Sequence, residues 1–192
     1  MMKVLLINGS PHKNGGTVEN LKTVEESLNK NGITTEWFHL GTKPVRGCID
    51  CRQCAKTHRC AFNDDVCNAI IEAILGADGV IIGTPVYFAS ANGALTAVLD
   101  RVFYAASSHG NLFKGKVAAC IASMYRSGGN SAIDRINKYF AFSEMPIVSS
   151  NYWNLKFARE SFVPNDETGH NTMATLGENM AEMLLKQSRG IK

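Results

Sequence analysis

The sequence begins MMKVLLINGSPHKNGGT, residues 1–17, and this stretch determines how the rest of the chain is interpreted. Its apolar run, Lys3–Asn8, is ended abruptly by glycine and polar residues, which predicts a buried strand. A turn-forming segment follows, and Thr17 is expected to cap and begin a helix. Strand, glycine-rich turn and helix N-terminus together predict an anion site, because unpaired backbone N–H groups and the helix dipole point into the turn.

The composition is that of a globular protein. The 192 residues are 45% hydrophobic and 19% charged, with a net charge of +3. We therefore expect one domain, residues 1–192, with a real core. No basic block is present, so nucleic-acid binding is not expected. The N-terminal apolar run is too short for a signal peptide and no segment approaches membrane-spanning length, so we expect a cytoplasmic protein without membrane contact.

Apolar runs and helical patterns alternate along the chain, which predicts parallel βαβ units and an α/β, doubly wound sheet with helices on both faces. Five strands are expected, at residues 3–8, 33–40, 79–85, 116–122 and 146–149, with Pro85 ending the third. Ligands of such sheets bind beyond the carboxyl ends of the strands. The loops after the first, third and fourth strands are therefore expected to meet.

The first two of these loops carry distinct chemistry. The first lacks both G-x-x-x-x-G-K-[ST] and G-x-G-x-x-G, and instead suits a phosphate dianion held by the hydroxyls of Ser10 and Thr17 and the amides between them. The second loop places Pro85, Tyr87 and Phe88 at a strand mouth, where aromatic side chains can wall a flat ligand. The alternatives are a tight turn without a ligand and aromatic side chains that belong to the core.

Four of the six cysteines crowd a loop without periodicity, residues 41–64. Cys48, Cys51, Cys54 and Cys60 follow the pattern C-x2-C-x2-C-x5-C, which supplies the ligand count of a [4Fe–4S] centre. Zinc, a loop staple and redox-active thiols without a cluster remain alternatives.

These motifs resemble those of the flavodoxin-like NAD(P)H-dependent FMN reductases, and the cysteine spacing resembles the iron-sulfur flavoprotein branch of that group. The resemblance spans the chain and is carried by Gly9-Ser10-Pro11, Asn14-Gly15-Gly16-Thr17, Thr84-Pro85-Val86-Tyr87-Phe88, Gly93-Ala94-Leu95 and Asp100-Arg101. It implies a flavodoxin-like strand order, 2-1-3-4-5, in a single FMN-binding domain.

The resemblance also implies the FMN site. The phosphate would lie in residues 10–17, the isoalloxazine against residues 85–88, and residues 124–129 would close the pyrimidine side. His12 stands where such proteins often carry arginine. The implied FMN-binding residues are Ser10, His12, Asn14, Gly16, Thr17, Pro85, Val86, Tyr87, Phe88, Met124, Tyr125, Arg126, Gly128 and Gly129.

The expected activity is an oxidoreductase that passes electrons from NADH or NADPH through FMN to a small-molecule or protein acceptor, with no side chain acting as acid or base. A homodimer or homotetramer is expected from the resemblance. One alternative is an electron carrier with a [4Fe–4S] cluster on the cysteine loop. A remote alternative is a cysteine phosphatase, because Cys120 and Arg126 fit C-x5-R-[ST]. The pair Asp100-Arg101 is expected on the polar side of its helix, as a structural or subunit contact.

Overall fold

The computed structural model describes residues 2–159 and 161–190, in which strands and helices alternate. The elements in chain order are β1 Lys3–Asn8, α1 Gly16–Lys30, β2 Thr34–His39, α2 Cys54–Thr57, α3 Cys67–Leu75, β3 Gly79–Tyr87, β4 Ser90–Ala91, α4 Gly93–Ser107, β5 Val117–Met124, α5 Gly129–Phe142, β6 Leu155–Phe157 and α6 Glu167–Ser188. Among the described residues, no helix has the length and apolar character needed to cross a bilayer.

The sheet is parallel along the path β2-β1-β3-β5-β6, and β4 pairs antiparallel with the end of β3. The predicted α/β fold is confirmed, but six strands are described rather than five, because the two-residue β4 was not expected. With β4 set aside, the parallel strands follow the expected order 2-1-3-4-5. The strand order reverses between β1 and β3, because β2 is added on one side of β1 and β3 on the other, so the topological switch point lies there.

Two predicted strand positions are wrong. Residues 146–149 touch the sheet at one isolated bridge, Ala118 to Ile147, and the edge strand is β6 instead. β3 also continues through Pro85 to Tyr87. The Gly83 carbonyl points toward the β1 side, where it accepts a hydrogen bond from Gly9 N–H at 2.8 Å. Because backbone groups point to alternate sides along a strand, the backbone nitrogen of Pro85 faces the same side. The pairing with β1 has ended there, and a proline without an N–H breaks no ladder bond.

Helices cover both faces of the sheet, and strand residues alternate between two cores. Leu5 and Ile7 face the core beneath α3, α4 and α5, whereas Val4 and Leu6 face the core beneath α1 and α6. This alternation follows from the two-residue period of a strand. Helices therefore cover both faces of the sheet, and a ligand can reach it at the carboxyl edge.

Candidate functional site

The loop after β1 is shaped by a side chain that the sequence analysis did not single out. Asn8 Oδ1 accepts from Ser10 N–H at 3.0 Å, and Asn8 Nδ2 donates to the His12 carbonyl at 3.0 Å. Ser10 Oγ in turn accepts from His12 N–H at 3.1 Å. The sequence does carry a signal for this turn, because an asparagine side chain commonly forms a hydrogen bond to the backbone two residues further along. The loop is thus pre-formed, with Ser10 buried and the His12 side chain exposed.

Helix α1 begins at Gly16 and is capped by Gly15, which has an extended backbone and no capping side chain. The prediction of Thr17 as the cap is wrong: it lies buried inside the first turn. In the described part of the chain, the amides of residues 13–17 donate to no acceptor. These free N–H groups and the helix dipole make the loop able to hold a phosphate dianion.

Glycine positions show where the loops approach one another. A Cβ added at Gly16 would lie 2.5 Å from Ser123 Oγ and 3.2 Å from Ala158 Cβ. The first loop therefore packs directly against the ends of β5 and β6. At Gly128, where φ is +86°, an added Cβ would collide with the backbone of Ala89. The expected meeting of three loops at the carboxyl edge is thus present in the structure.

The second loop is a tight hairpin between β3 and β4. Tyr87 pairs with Ser90, and the two residues between them, Phe88 and Ala89, have φ of 48° and 57°. A bulky side chain in this left-handed region is strained, and two-residue hairpins normally use glycine or asparagine there. Phe88 is fully exposed and Tyr87 is 43% exposed, so neither belongs to the core. Strain of this kind concentrates at functional sites.

The third loop, residues 124–129, packs against a segment that the sequence did not indicate. The Tyr125 and Phe162 rings lie 5.1 Å apart, and the Arg126 guanidinium lies 5.4 Å from the Phe162 ring centre. Phe162 lies between β6 and α6, without a local motif that would mark it. Gly129 lies beneath Met124, where a Cβ would meet the Met124 sulfur at 3.0 Å. The third loop therefore presents exposed side chains on a tightly packed base.

The residues expected around FMN all lie in these three loops, at one edge of the sheet. Asn14, like His12, has an exposed side chain, whereas Pro85 and Val86 are half-buried at the base of the hairpin. The free amides at residues 13–17, and the exposed aromatic side chains of the second loop, fit a phosphate-bearing flat cofactor.

The four loop cysteines line a single pocket, whose floor is formed by Arg101, Tyr104 and Ala105 on one face of α4. Asp50 and Arg52, on either side of Cys51, have φ of 51° and 57°, so the backbone is strained at the motif. Among the described residues, no three Cys, His, Asp or Glu side chains already stand in a metal-binding arrangement. Four thiols around one pocket nevertheless match the ligand count of a [4Fe–4S] cluster.

Cys54 and Cys60 are the more firmly held of these cysteines. Cys54 is buried at the start of α2, and burial raises the pKa of its thiol, to which the nearby thiols of Cys51, Cys48 and Cys60 add. The backbone of Cys60 exchanges two hydrogen bonds with the buried Asn68 side chain, at 2.8 and 3.0 Å. Cys48 and Cys51 are exposed. The pocket therefore has two anchored thiols and two at its mouth.

Arg101 is the principal residue that the sequence analysis misplaced. It was expected on the polar side of α4, but its side chain is only 1% exposed and forms an ion pair with Asp65. Its Nε and Nη2 each donate to Cys60 Sγ at 3.2 Å, and its Nη1 donates to the Arg46 carbonyl at 3.2 Å. Helical spacing could have located it, since it lies three residues after the buried Val98. Asp100 points elsewhere, to Arg135 and Tyr139.

The ion pair shifts the pKa values of both Arg101 and Asp65. Burial alone lowers the pKa of Arg101, but hydrogen bonds to Asp65 and Cys60 outweigh burial and raise that pKa. Burial alone raises the pKa of Asp65, but the hydrogen bond from Arg101 and backbone N–H donors outweigh it, so the pKa lies below its usual range. Both groups are therefore charged at neutral pH.

The remaining cysteines are packed as apolar residues. Cys120 lies within β5, 1% exposed, and burial raises the pKa of its thiol far above the usual range. A phosphatase nucleophile must stand ionised at a strand end. Cys120 fails both requirements, and the phosphatase alternative is rejected. Burial likewise raises the pKa of Cys67, on α3, to about 12.

Known proteins resemble this chain along nearly its whole length. Residues 2–160 match the family described as NADPH-dependent FMN reductase. An iron-sulfur flavoprotein of Methanocaldococcus jannaschii is 30% identical over 191 residues, which cover 95% of this chain and 97% of that protein.

Solved structures resemble the fold. RosB, solved with bound 8-demethyl-8-formylriboflavin-5′-phosphate, superposes with a TM-score of 0.79 at 12% identity, covering 100% of this chain and 82% of RosB. A flavodoxin from the domain Archaea has a TM-score of 0.63 at 12% identity, covering 96% of this chain and 99% of that one. At these identities the two structures show the flavodoxin-like fold alone. The chain therefore belongs to the NADPH-dependent FMN reductase family, on its iron-sulfur flavoprotein branch, and is an FMN-dependent oxidoreductase.

Proposed function

We propose that the protein oxidises NADH or NADPH through FMN bound across residues 10–17, 85–88 and 124–129, and passes the electrons to a small-molecule or protein acceptor. The observation that carries this proposal is the row of free amides at residues 13–17, directly beside the switch point of the sheet. Membership of the FMN reductase family supports it.

Each loop has a separate task in this proposal. The amides of residues 13–17 and the N-terminus of α1 hold the phosphate, with the Ser10 hydroxyl beside them. The β3–β4 hairpin lies against the ring system, and backbone amides of residues 124–129 stabilise negative charge on its pyrimidine edge. The bound FMN supplies the hydride and electron chemistry. The chain itself binds and orients the FMN and adjusts its reduction potential.

The second candidate function is electron transfer through a [4Fe–4S] cluster held by Cys48, Cys51, Cys54 and Cys60. The lining of one pocket by all four thiols favours it, and so does the printed name of the relative at 30% identity. Such a cluster supplies one-electron transfer. Cys54 and Cys60 would provide the fixed side of the site, and the exposed Cys48 and Cys51 would close over it.

Helix α4 connects the two proposed sites. It begins at Gly93, just after the hairpin, and carries Arg101 on the floor of the cysteine pocket. Eight residues separate these positions, which is about 12 Å along a helix axis. A single rigid element thus holds the two groups close together, as an electron relay requires.

The deciding experiment is anaerobic purification followed by an absorption spectrum and measurement of FMN, iron and sulfide per chain. We expect flavin and cluster absorption together, and bleaching of the flavin by NADH or NADPH in the absence of an acceptor. Protein that binds no FMN even after reconstitution would contradict the first proposal. Protein that binds FMN without iron or sulfide would contradict only the second.

We also propose that the protein forms a homodimer or homotetramer. Large aromatic side chains are exposed around the FMN loops, among them Phe88, Tyr125 and Phe162, and exposed apolar groups at a site often mark an interface. Light scattering of the FMN-loaded protein tests this, and a monomer at all accessible concentrations would contradict it.

A further inference from the structure

The guanidinium of Arg101 is arranged around one sulfur atom. Its Nε and Nη2, which form one edge of the planar group, each donate to Cys60 Sγ at 3.2 Å. Its other nitrogen, Nη1, donates to the Asp65 carboxylate and the Arg46 carbonyl. A two-pronged arrangement of this kind is available to arginine and not to lysine. The Nε–Nη2 edge of the guanidinium therefore makes its hydrogen bonds to Cys60.

Cys60 is fixed from two directions. Its backbone N–H and C=O are both bonded by Asn68 of α3, and its sulfur is bonded by Arg101 of α4. The other thiols lining the pocket have no comparable cationic donor among the described residues. Hydrogen bonds from a cationic donor are charge-assisted, so the two donors of Arg101 are suited to a cysteine sulfur that ligates iron.

We propose that Arg101 is a positioning residue for the iron-sulfur cluster: it holds Cys60 Sγ toward the pocket and, through two hydrogen bonds to that sulfur, raises the reduction potential and the retention of the cluster. This inference rests on the proposed cluster function. Potentials of iron-sulfur centres depend on net charge and on hydrogen bonds to the sulfurs. Reduction adds negative charge beside Cys60, and a buried cationic donor stabilises the reduced form.

A purely structural role for the Arg101–Asp65 pair makes a different prediction. A buried ion pair can serve only to fix the packing of the loop against α4. In that case, replacing both charges by neutral side chains would alter stability without changing the potential of the cluster. The double variant Arg101→Met/Asp65→Asn separates the two roles, since it leaves no unpaired buried charge. Its asparagine can still accept from Cys67 N–H, which now bonds Asp65 Oδ1 at 3.1 Å.

The experiment is a redox titration of the cluster, followed by electron paramagnetic resonance, in the anaerobically reconstituted protein. The variants are Arg101→Lys and the double variant. The matched control is Arg135→Met/Asp100→Asn, which removes an exposed ion pair whose Asp100 is adjacent to Arg101 on α4. We expect the double variant to lower the equilibrium constant for cluster reduction about tenfold, which is about 59 mV for one electron. It should also lose iron faster to a chelator, with FMN content unchanged.

Arg101→Lys is expected to fall between the parent and the double variant, and the control to match the parent. If the parent holds FMN, iron and sulfide but neither variant changes the potential or iron loss, Arg101 has no such role. If the parent holds FMN without iron, the cluster function and this inference fail together. If the double variant does not fold, the potential of Arg101→Lys decides: a value equal to that of the parent overturns the proposal.

Discussion

Arg101 and Asp65 form a buried ion pair in which each charge depends on the other. Their side chains are 1% and 4% exposed. Removing one member of such a pair leaves a charge without solvent or partner, whereas removing both is often tolerated. The stability of the cysteine loop therefore depends on the two charges together.

We expect Arg101→Met to lower the free energy of unfolding of the metal-free protein by about 3–5 kcal/mol, because the Asp65 carboxylate would stay buried without its partner. Urea unfolding at neutral pH measures the change. The control is Arg135→Met, which breaks an exposed pair and should change the free energy by at most about 1 kcal/mol. Equal effects of the two substitutions would contradict the assignment.

The same ion pair should affect how the free energy of unfolding changes at acid pH. Hydrogen bonds, chiefly from Arg101, hold the pKa of Asp65 below its ordinary value of 3.8 against the opposing effect of burial. The folded protein therefore binds this proton more weakly than the unfolded chain. The stabilising contribution is present above the unfolded pKa and is lost as the pH falls through the folded pKa.

We expect the free energy of unfolding to fall more steeply below about pH 4 in the parent than in Arg101→Met/Asp65→Asn, which lacks the titrating carboxylate. Urea unfolding of the metal-free proteins between about pH 3 and pH 6 measures both curves. Parallel curves would show that Asp65 does not contribute this titration.

At the scale of elements, the start of α1 and the ends of β3, β5 and β6 form one surface. Gly16 allows α1 to approach β5, and the strained hairpin at Phe88 and Ala89 meets Gly128, the N-cap of α5. Contacts this close leave little freedom for the backbone. The geometry of the FMN loops is therefore set by the packing of elements against each other.

Substitutions at two neighbouring glycines test whether packing sets the geometry of the FMN loops. Alanine at Gly16 would place its Cβ 2.5 Å from Ser123 Oγ, whereas alanine at Gly15 would meet nothing closer than His12 Cβ at 3.8 Å. We expect Gly16→Ala to weaken FMN binding at least tenfold, about 1.4 kcal/mol, because the amides of the loop must shift. Gly15→Ala should weaken binding less. Fluorescence titration of the flavin-free proteins with FMN measures both, and equal affinities would contradict the prediction.

At the scale of the whole molecule, the cysteine loop is a peripheral addition to a complete flavodoxin-like fold. The FMN loops lie at the carboxyl edge of the sheet, and the cysteine pocket lies against α4. Exposed Cys48 and Cys51 contribute little to either core. We infer that the cluster can be lost while the fold and FMN binding persist.

We therefore expect Cys51→Ser to abolish cluster assembly, to retain FMN, and to change the free energy of unfolding of the metal-free protein by less than about 0.5 kcal/mol. The measurements are iron, sulfide and FMN per chain with urea unfolding. Cys67→Ala, outside the proposed ligand set, should keep the iron. Loss of FMN together with iron in Cys51→Ser would show that the two sites depend on each other.

Much of the fold, and the meeting of the three loops at one edge of the sheet, could be predicted because the decisive patterns are local. The apolar run of β1, the turn after it and the alternation of strands and helices follow from hydrophobic periodicity and turn chemistry within short segments. The spacing of Cys48, Cys51, Cys54 and Cys60 is likewise a property of one loop. These local features predict that three loops meet at one edge of the sheet.

Tertiary structure decided what depends on contacts between distant segments. The burial of Arg101 against Cys60 and Asp65, the choice of β6 over residues 146–149 as the edge strand, and the packing of Phe162 on the third loop have no local signature. An arginine on a helix is placed in solvent by its own chemistry, and only the partners brought by other elements make its burial favourable. The sequence by itself therefore determined the fold class, the three loops and the thiol set, and the tertiary structure alone determined which charged group faces those thiols.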